Sequence, residues 1–270
     1  MSSTIGPRPL PLEFRSHPAD PHVAGPRAVI LAGGRGTRLA PYTSVLPKPL
    51  MPIGDRSILE IVLDQLQGAG VRDVTLSVGY LAHLIATVLE NAPGLDLTLR
   101  YVHEPEPLGT AAPLRLIDGL DKTFIVMNGD VLTDLDYEEL IAHHRRQGHA
   151  LTIATHDRVV KIDYGVLKMD AEGRLRGFQE KPEIRTTVSM GVYVIEPDAL
   201  THIPESGRFD LPDLVEALLR ADLPVGGYRH EGLWFDIGRQ EDYVEAASVW
   251  LESATRHAPH ERAARLRIAS

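Results

Sequence analysis

Short β-branched apolar runs that stop at glycine or aspartate, each followed by a stretch with helical spacing, most constrain what this chain can fold into. Ala28-Val29-Ile30-Leu31-Ala32 stops at Gly33 and reads as a buried strand. Ser57, with Glu60 where a capping box wants its carboxylate, opens a helix in which Leu59, Val62, Leu63 and Leu66 recur before Gly68 and Gly70. The spacing then predicts a strand at Val74–Val78, a helix over Tyr80–Glu90 and a strand at Leu97–Tyr101. A further strand at Thr123–Met127 ends at Asn128-Gly129-Asp130, followed by a helix over Tyr137–Gln147 and an extended run at Leu151–Thr155. Strands alternating with helices in this way form a largely parallel sheet covered on both faces.

The pattern then changes. Gly165–Lys168 and Arg174–Gln179 flank Asp170-Ala171-Glu172-Gly173 and predict a hairpin. Ser189–Ile195 reads as a strand, Leu211–Arg220 as an amphipathic helix, and Arg239 to about Arg267 as mostly helical. The expected fold is α/β: a Rossmann-like mixed, mainly parallel sheet flanked by helices, with a small antiparallel β insertion. Residues 1–26 hold Pro7, Pro9, Pro11, Pro18, Pro21 and Pro26 with little periodicity and read as a flexible extension. Residues 27–250 read as one continuous domain and 251–270 as a helical tail.

Charge narrows the partners. Lys and Arg total 28 against 37 Asp and Glu, a net charge of −9, which argues against a broad nucleic-acid surface. It leaves room for small phosphates, which a few cations and backbone N–H groups can hold. The chain has no cysteine, so disulfides, thiolate metal sites and a cysteine nucleophile are excluded. No apolar run reaches the roughly 18–20 residues of a membrane helix, and the first residues lack the order of a signal peptide. The expected address is cytoplasmic, with no membrane partner.

The residues that carry chemistry begin at the first strand. Leu31-Ala32-Gly33-Gly34-Arg35-Gly36-Thr37-Arg38-Leu39 is followed by Leu46-Pro47-Lys48-Pro49-Leu50. Glycines directly after a strand let the backbone approach a ligand, and Arg35, Arg38 and Lys48 add the cations that several phosphates need. Taken alone, the glycines are equally a turn with surface cations. The string is neither a dinucleotide fingerprint nor a Walker A loop. Asp130, just after a strand, stands where ligands of open α/β sheets gather, and a carboxylate there suits Mg²⁺. As an isolated aspartate it is also an ordinary turn or capping residue. Glu180-Lys181-Pro182 is by itself an exposed charge pair, and His143-His144-Arg145-Arg146 reads as a solvated helix face.

The whole set changes the weighing. The N-terminal string resembles the signature of the sugar-1-phosphate nucleotidyltransferases, the nucleotide-sugar pyrophosphorylases. The resemblance continues in order through Glu104-Pro105-Glu106-Pro107-Leu108-Gly109-Thr110, Asn128-Gly129-Asp130, Tyr164-Gly165, Glu180-Lys181-Pro182, Ser189-Met190-Gly191 and Trp234-Phe235-Asp236-Ile237-Gly238. It looks most like stand-alone members of the mannose- and heptose-1-phosphate guanylyltransferase type. The resemblance implies transfer of a nucleoside monophosphate from an NTP to a sugar 1-phosphate with release of pyrophosphate, with Mg²⁺ as cofactor. It implies that Leu31 to Thr37, Glu104, Gly109 and Thr110 hold the nucleotide, and that Arg38, Lys48 and Lys181 act on the reacting phosphates. It assigns Asp130 and Asp236 to the metal, and Asn128, Gly165, Glu180, Lys181 and Ser189 to the sugar phosphate. A carboxylate at Glu104 could accept both the N1–H and N2–H₂ of guanine, which favours GTP. Serine at 189, where relatives usually carry Asn, leaves room for a modified sugar, a heptose or a cyclitol. The same reaction with ATP, UTP, dTTP or CTP, a silent paralogue that binds nucleotide sugars, and a glycosyltransferase remain as rival readings. A homo-oligomer is compatible with all of them.

Overall fold

The computed structural model describes residues 25–104 and 106–253. Most of the proline-rich extension, Pro105 and the expected helix beyond residue 253 lie outside the described residues. The chain opens with β1 (Arg27–Ala32), short strands β2 (Pro52–Ile53) and β3 (Arg56–Ser57), helix α1 (Ile58–Gly68), β4 (Asp73–Val78), α2 (Ala82–Glu90) and β5 (Thr98–His103). Next come β6 (Phe124–Asn128), β7 (Val131–Thr133), α3 (Tyr137–Gln147) and β8 (Leu151–Lys161). The second half holds β9 (Val166–Met169), β10 (Leu175–Gln179), β11 (Glu183–Ile195), α4 (Leu211–Arg220), β12 (Val225–Arg229) and β13 (Trp234–Asp236). Residues 240–253 are helical. Among the described residues no helix is long and apolar enough to cross a membrane.

Seven strands form the main sheet in the order β12-β8-β11-β6-β1-β4-β5. β1 pairs in parallel with β4 and β6, β4 with β5, and β12 with β8, while β11 runs antiparallel to both of its neighbours. The sheet is thus the mixed, mainly parallel one expected, and β9 and β10 pair as the expected antiparallel insertion. Strand alternation divides the core. Ala28, Ile30 and Ala32 face one cluster with residues of α1, α2 and α3, while Val29, Phe124 and Val126 face another with Leu114 and residues of α4.

Local chemistry explains the elements. Ser57 and Glu60 close the capping box of α1, with Ser57 N–H donating to the Glu60 carboxylate at 2.8 Å. Asp210 caps α4 with Asp213 in the same way. α2 starts at Ala82 rather than Tyr80, because Leu81 before it takes a left-handed backbone at φ 55°. β8 and β11 extend well beyond Leu151–Thr155 and Ser189–Ile195. They continue as an exposed ladder from Asp157↔Thr187 to Lys161↔Glu183, whose side chains give no burial pattern to read. β12 is hidden by Gly226 and Gly227. A Cβ at Gly226 would collide with the His149 ring.

One expectation is overturned. His144 is not on a solvated face: it is 1% exposed. Its Nδ1 lies 2.8 Å from Thr152 Oγ1 and its Nε2 3.0 Å from Glu196 Oε1. α3 lays this face on the sheet, and the polar tetrad hid the burial because hydrogen-bonded polar groups can replace apolar ones in a core.

Candidate active site

The glycine loop leaves β1 and is shaped by close approaches. A Cβ at Gly33 would stand 2.8 Å from Glu104 Oε1, and one at Gly79 would stand 2.9 Å from Gly33 O. Only hydrogen atoms fit between these segments. Gly36, at φ 59°, caps a 3₁₀ turn over Thr37–Leu39, and Thr43 Oγ1 donates to Gly36 O at 2.8 Å. The Arg35 guanidinium lies 5.8 Å from the centre of the Tyr80 ring, whose hydroxyl donates to Ser44 O at 3.0 Å. The loop is therefore held from both sides and presents its backbone to an open cleft.

Lys48 stands at the floor of that cleft, 8% exposed, in a 3₁₀ turn over Lys48–Leu50. Its ammonium pairs with Asp130 and lies 4.0 Å from Asp236 Oδ1. The two aspartates are far apart in sequence and meet because β7 and β13 pair antiparallel, with Asp236 opposite Val131. Ile237 N–H donates to Asp130 O at 3.3 Å and fastens the end of the ladder. Burial raises the Asp236 pKa and neighbouring Asp130 raises it further, against Lys48 and Arg38, which lower it. Arg38 closes this corner, its guanidinium 3.5 Å from where a Cβ at Gly238 would sit.

The far wall carries Glu104. Its Oε1 accepts from Ser77 Oγ at 2.7 Å and its Oε2 from Leu108 N–H at 3.4 Å, so the carboxylate is fixed. Gly109, at φ 95°, lies against Phe209 O and Asp210. Thr110 donates through its N–H to Asp210 Oδ1 at 2.9 Å, and its hydroxyl accepts from Leu211 N–H at 2.8 Å. The Thr110 side chain is thus engaged in joining this loop to the start of α4. Arg208 pairs with Asp210 at 3.1 Å.

These residues enclose one cleft of about 710 Å³, lined by Leu31 to Arg38, Lys48, Glu104, Gly109, Thr110, Asn128 and Asp130. Gly79, Tyr80, Arg208 and Asp210 line it too, and sequence reading did not single them out. Gly79 carries the same signal as Gly33, a glycine at the end of an adjacent strand. Asp210 carries the signature of a helix cap.

The residues expected to hold the acceptor are more dispersed. Asn128, the last residue of β6, lies against Gly191, where a Cβ would stand 2.6 Å from its Nδ2. The Ser189 hydroxyl is taken up internally, accepting from Gly191 N–H at 3.2 Å and lying 3.0 Å from the Tyr193 hydroxyl. Gly165 and Glu180 adjoin each other at the ribbon of β9 and β10. Lys181 follows β10 as an exposed residue at φ 42°. Gly165, Glu180, Lys181, Ser189 and Asp236 do not line the cleft itself, although Asp236 borders it through Lys48.

Two features suit a divalent cation. Asp130 Oδ1 is buried without a hydrogen-bond partner, and two carboxylates converge on one ammonium. No group of three or more acidic or histidine ligands occurs among the described residues. That fits an ion which takes one or two protein oxygens and completes its shell with substrate and water.

Comparison with known proteins gives a consistent answer. The mannose-1-phosphate guanyltransferase of Emericella nidulans is 32% identical over 243 residues, 85% of this chain and 65% of that protein. The UTP–glucose-1-phosphate uridylyltransferase of Synechocystis is 32% identical over 240 residues, 82% of this chain and 62% of that protein. The chain therefore spans less than two thirds of these relatives' length. HddC of Yersinia pseudotuberculosis, solved in complex with GMP-PN, superposes with a TM-score of 0.63 at 26% identity, covering 84% of this chain and all of that one. Residues 27–253 match the family described as nucleotidyl transferase, and the chain belongs to it.

Proposed function

We propose that this chain transfers a nucleoside monophosphate, GMP by preference, from an NTP to a sugar 1-phosphate, forming an NDP-sugar and pyrophosphate. The observation that carries the reading is the convergence of Lys48, Asp130 and Asp236 at the edge of a glycine-walled cleft. Relatives from a guanyltransferase, a uridylyltransferase and a GMP-PN complex support the class of reaction.

The chemistry follows from charge. A phosphate oxygen of the sugar 1-phosphate attacks the α-phosphorus in line, a new P–O bond forms, and the bond to the leaving pyrophosphate breaks. The nucleophile is already an anion, so no general base is required. The barrier is repulsion between anions and charge build-up on the leaving group, which positioned cations and dipoles relieve. Arg38 and the loop from Leu31 to Thr37 bind the triphosphate. Lys48 neutralises the reacting phosphates, and Lys181 holds the acceptor phosphate. Asp130 and Asp236 would hold Mg²⁺, which supplies positive charge that draws the two phosphates together. Glu104, fixed by Ser77 and Leu108, offers a carboxylate to the paired donors of guanine.

A panel of GTP, UTP, dTTP, CTP and ATP against sugar 1-phosphates, read by pyrophosphate release with Mg²⁺, tests the proposal. GTP should give the highest kcat/KM, and Glu104→Gln should narrow its lead over UTP. Nucleotide binding without pyrophosphate release for any pair would defeat the enzymatic reading.

A further inference from the structure

Beyond the cleft, Trp234 and Asp236 share one face of β13, two residues and about 7 Å apart. The indole is therefore the next side chain along that face from the Asp236 carboxylate. It is fixed there: its Nε1–H donates to Met190 O at 3.1 Å. The Arg158 guanidinium covers the indole at 5.6 Å from the ring, and the His156 ring stands 5.5 Å from it. Strand register puts His156 opposite Val188 and Arg158 opposite Thr186, on the face of the β8–β11 ladder away from Ser189.

Arg158 is exposed, and no carboxylate pairs with it among the described residues. The acids nearby are engaged elsewhere. Asp157 pairs with Arg229 at 2.8 Å, Glu231 with the same arginine at 3.6 Å, and Glu183 with Lys161 at 3.1 Å. In a chain with net charge −9, an arginine held on an aromatic face and left without an acid is a placed cation. A ring beneath a guanidinium fixes its plane and leaves its N–H edge free for a planar or tetrahedral anion. The Ser189 hydroxyl, by contrast, is already bonded to Gly191 and Tyr193 and reads little of a sugar.

We propose that Arg158, seated on Trp234, reads a second negative charge on the acceptor. The preferred acceptor is then a sugar 1-phosphate that carries a further carboxylate or phosphate away from its anomeric phosphate. The inference rests on the nucleotidyl-transfer reading above. Both anion sources share the same chemistry at the guanidinium, and substrate choice separates them.

The test compares a neutral hexose 1-phosphate, a hexuronic acid 1-phosphate and a hexose bisphosphate, each with GTP and Mg²⁺, in the parent protein and in Arg158→Gln. The parent should favour one anionic acceptor by about tenfold or more in kcat/KM, the range of one charge-assisted hydrogen bond. Arg158→Gln should lose that preference through KM, with the neutral acceptor changed less than twofold, and Arg158→Lys should restore part of it. A lead for the uronic acid identifies a carboxylate, and a lead for the bisphosphate identifies a phosphate. If neutral acceptors are used as well as anionic ones and Arg158→Gln changes neither, this inference falls and nucleotidyl transfer stands. If no acceptor releases pyrophosphate, both fall together.

Discussion

All six residues of β4 are buried, and β1 and β6 have their centres in the core, whereas Leu167, Met169, Leu175 and Phe178 on the β9–β10 ribbon are 54–59% exposed. The glycine loop grows from the first group, and Gly165, Glu180 and Lys181, three of the residues expected to hold the acceptor, adjoin the second, while Asn128 ends β6 itself. On the first side, Gly79 meets the Gly33 backbone and Gly33 meets the Glu104 carboxylate, and neither leaves space for a methyl group. On the second, Gly177 has only the flexible stem of Lys168 at 3.5 Å. A two-stranded ribbon is marginal by itself, so this side has more latitude along its strands, although Gly165 at its base is as tightly set, with the Phe178 ring 2.7 Å from where a Cβ would sit. In the proposed reaction the donor triphosphate would meet the rigid wall and the acceptor the more adaptable one.

The contrast can be broken at its strongest point first. Asp130→Asn should lower turnover by about a hundredfold or more, with binding of nucleotide retained and the thermal midpoint little changed. Near-normal pyrophosphate release would remove Asp130 from the reacting centre. Next, Gly79→Ala should raise KM for the NTP about tenfold and destabilise the protein by about 1–3 kcal/mol, because its Cβ meets a carbonyl that cannot move alone. Gly177→Ala, on the ribbon, should stay within about 0.5 kcal/mol. Equal effects in denaturant melts would erase the distinction between the two sides. Smaller again, Lys181→Ala should raise KM for the sugar phosphate about tenfold while leaving KM for the NTP unchanged. An unchanged acceptor KM would sever Lys181 from the site.

What could be read in advance divides along the same line. α1, α3 and α4 were legible to within a residue from their apolar spacing, and in α1 the Ser57–Glu60 cap agreed with it; in the structure Asp136 caps α3, and Asp210 with Asp213 caps α4. The glycine loop and Lys48 stood out as a candidate phosphate site through the resemblance, since the glycines alone read equally as a turn, and the close approaches of Gly33 and Gly79 are tertiary. The pairing of Asp130 with Asp236 was not derivable from spacing. It depends on a ladder between β7 and β13, each three residues long, and the resemblance supplied it. The exposed tips of β8 and β11 were invisible because solvated strands carry no hydrophobic alternation. Tyr80 and Arg208 entered the cleft through tertiary packing of loops that carry no motif, and Asp210 through the cap of α4.

His144 offers the most delicate test, at the root of the same β8–β11 ladder whose tip carries Arg158. Burial lowers its pKa below the usual histidine range, outweighing the Glu196 hydrogen bond that would raise it, and His149 shifts in the same direction. The folded protein therefore prefers the neutral ring, while the unfolded chain titrates near pH 6.5. The neutral ring's contribution is complete above about pH 6.5 and is lost as pH falls from there toward the lower folded value. Urea melts at pH 7.5, 6.5 and 5.5 should show the midpoint falling with acid. In His144→Gln the fall should be shallower, since the His144 contribution is removed while that of His149 remains. Parallel slopes in parent and variant would show that the ring bears no part of the acid sensitivity.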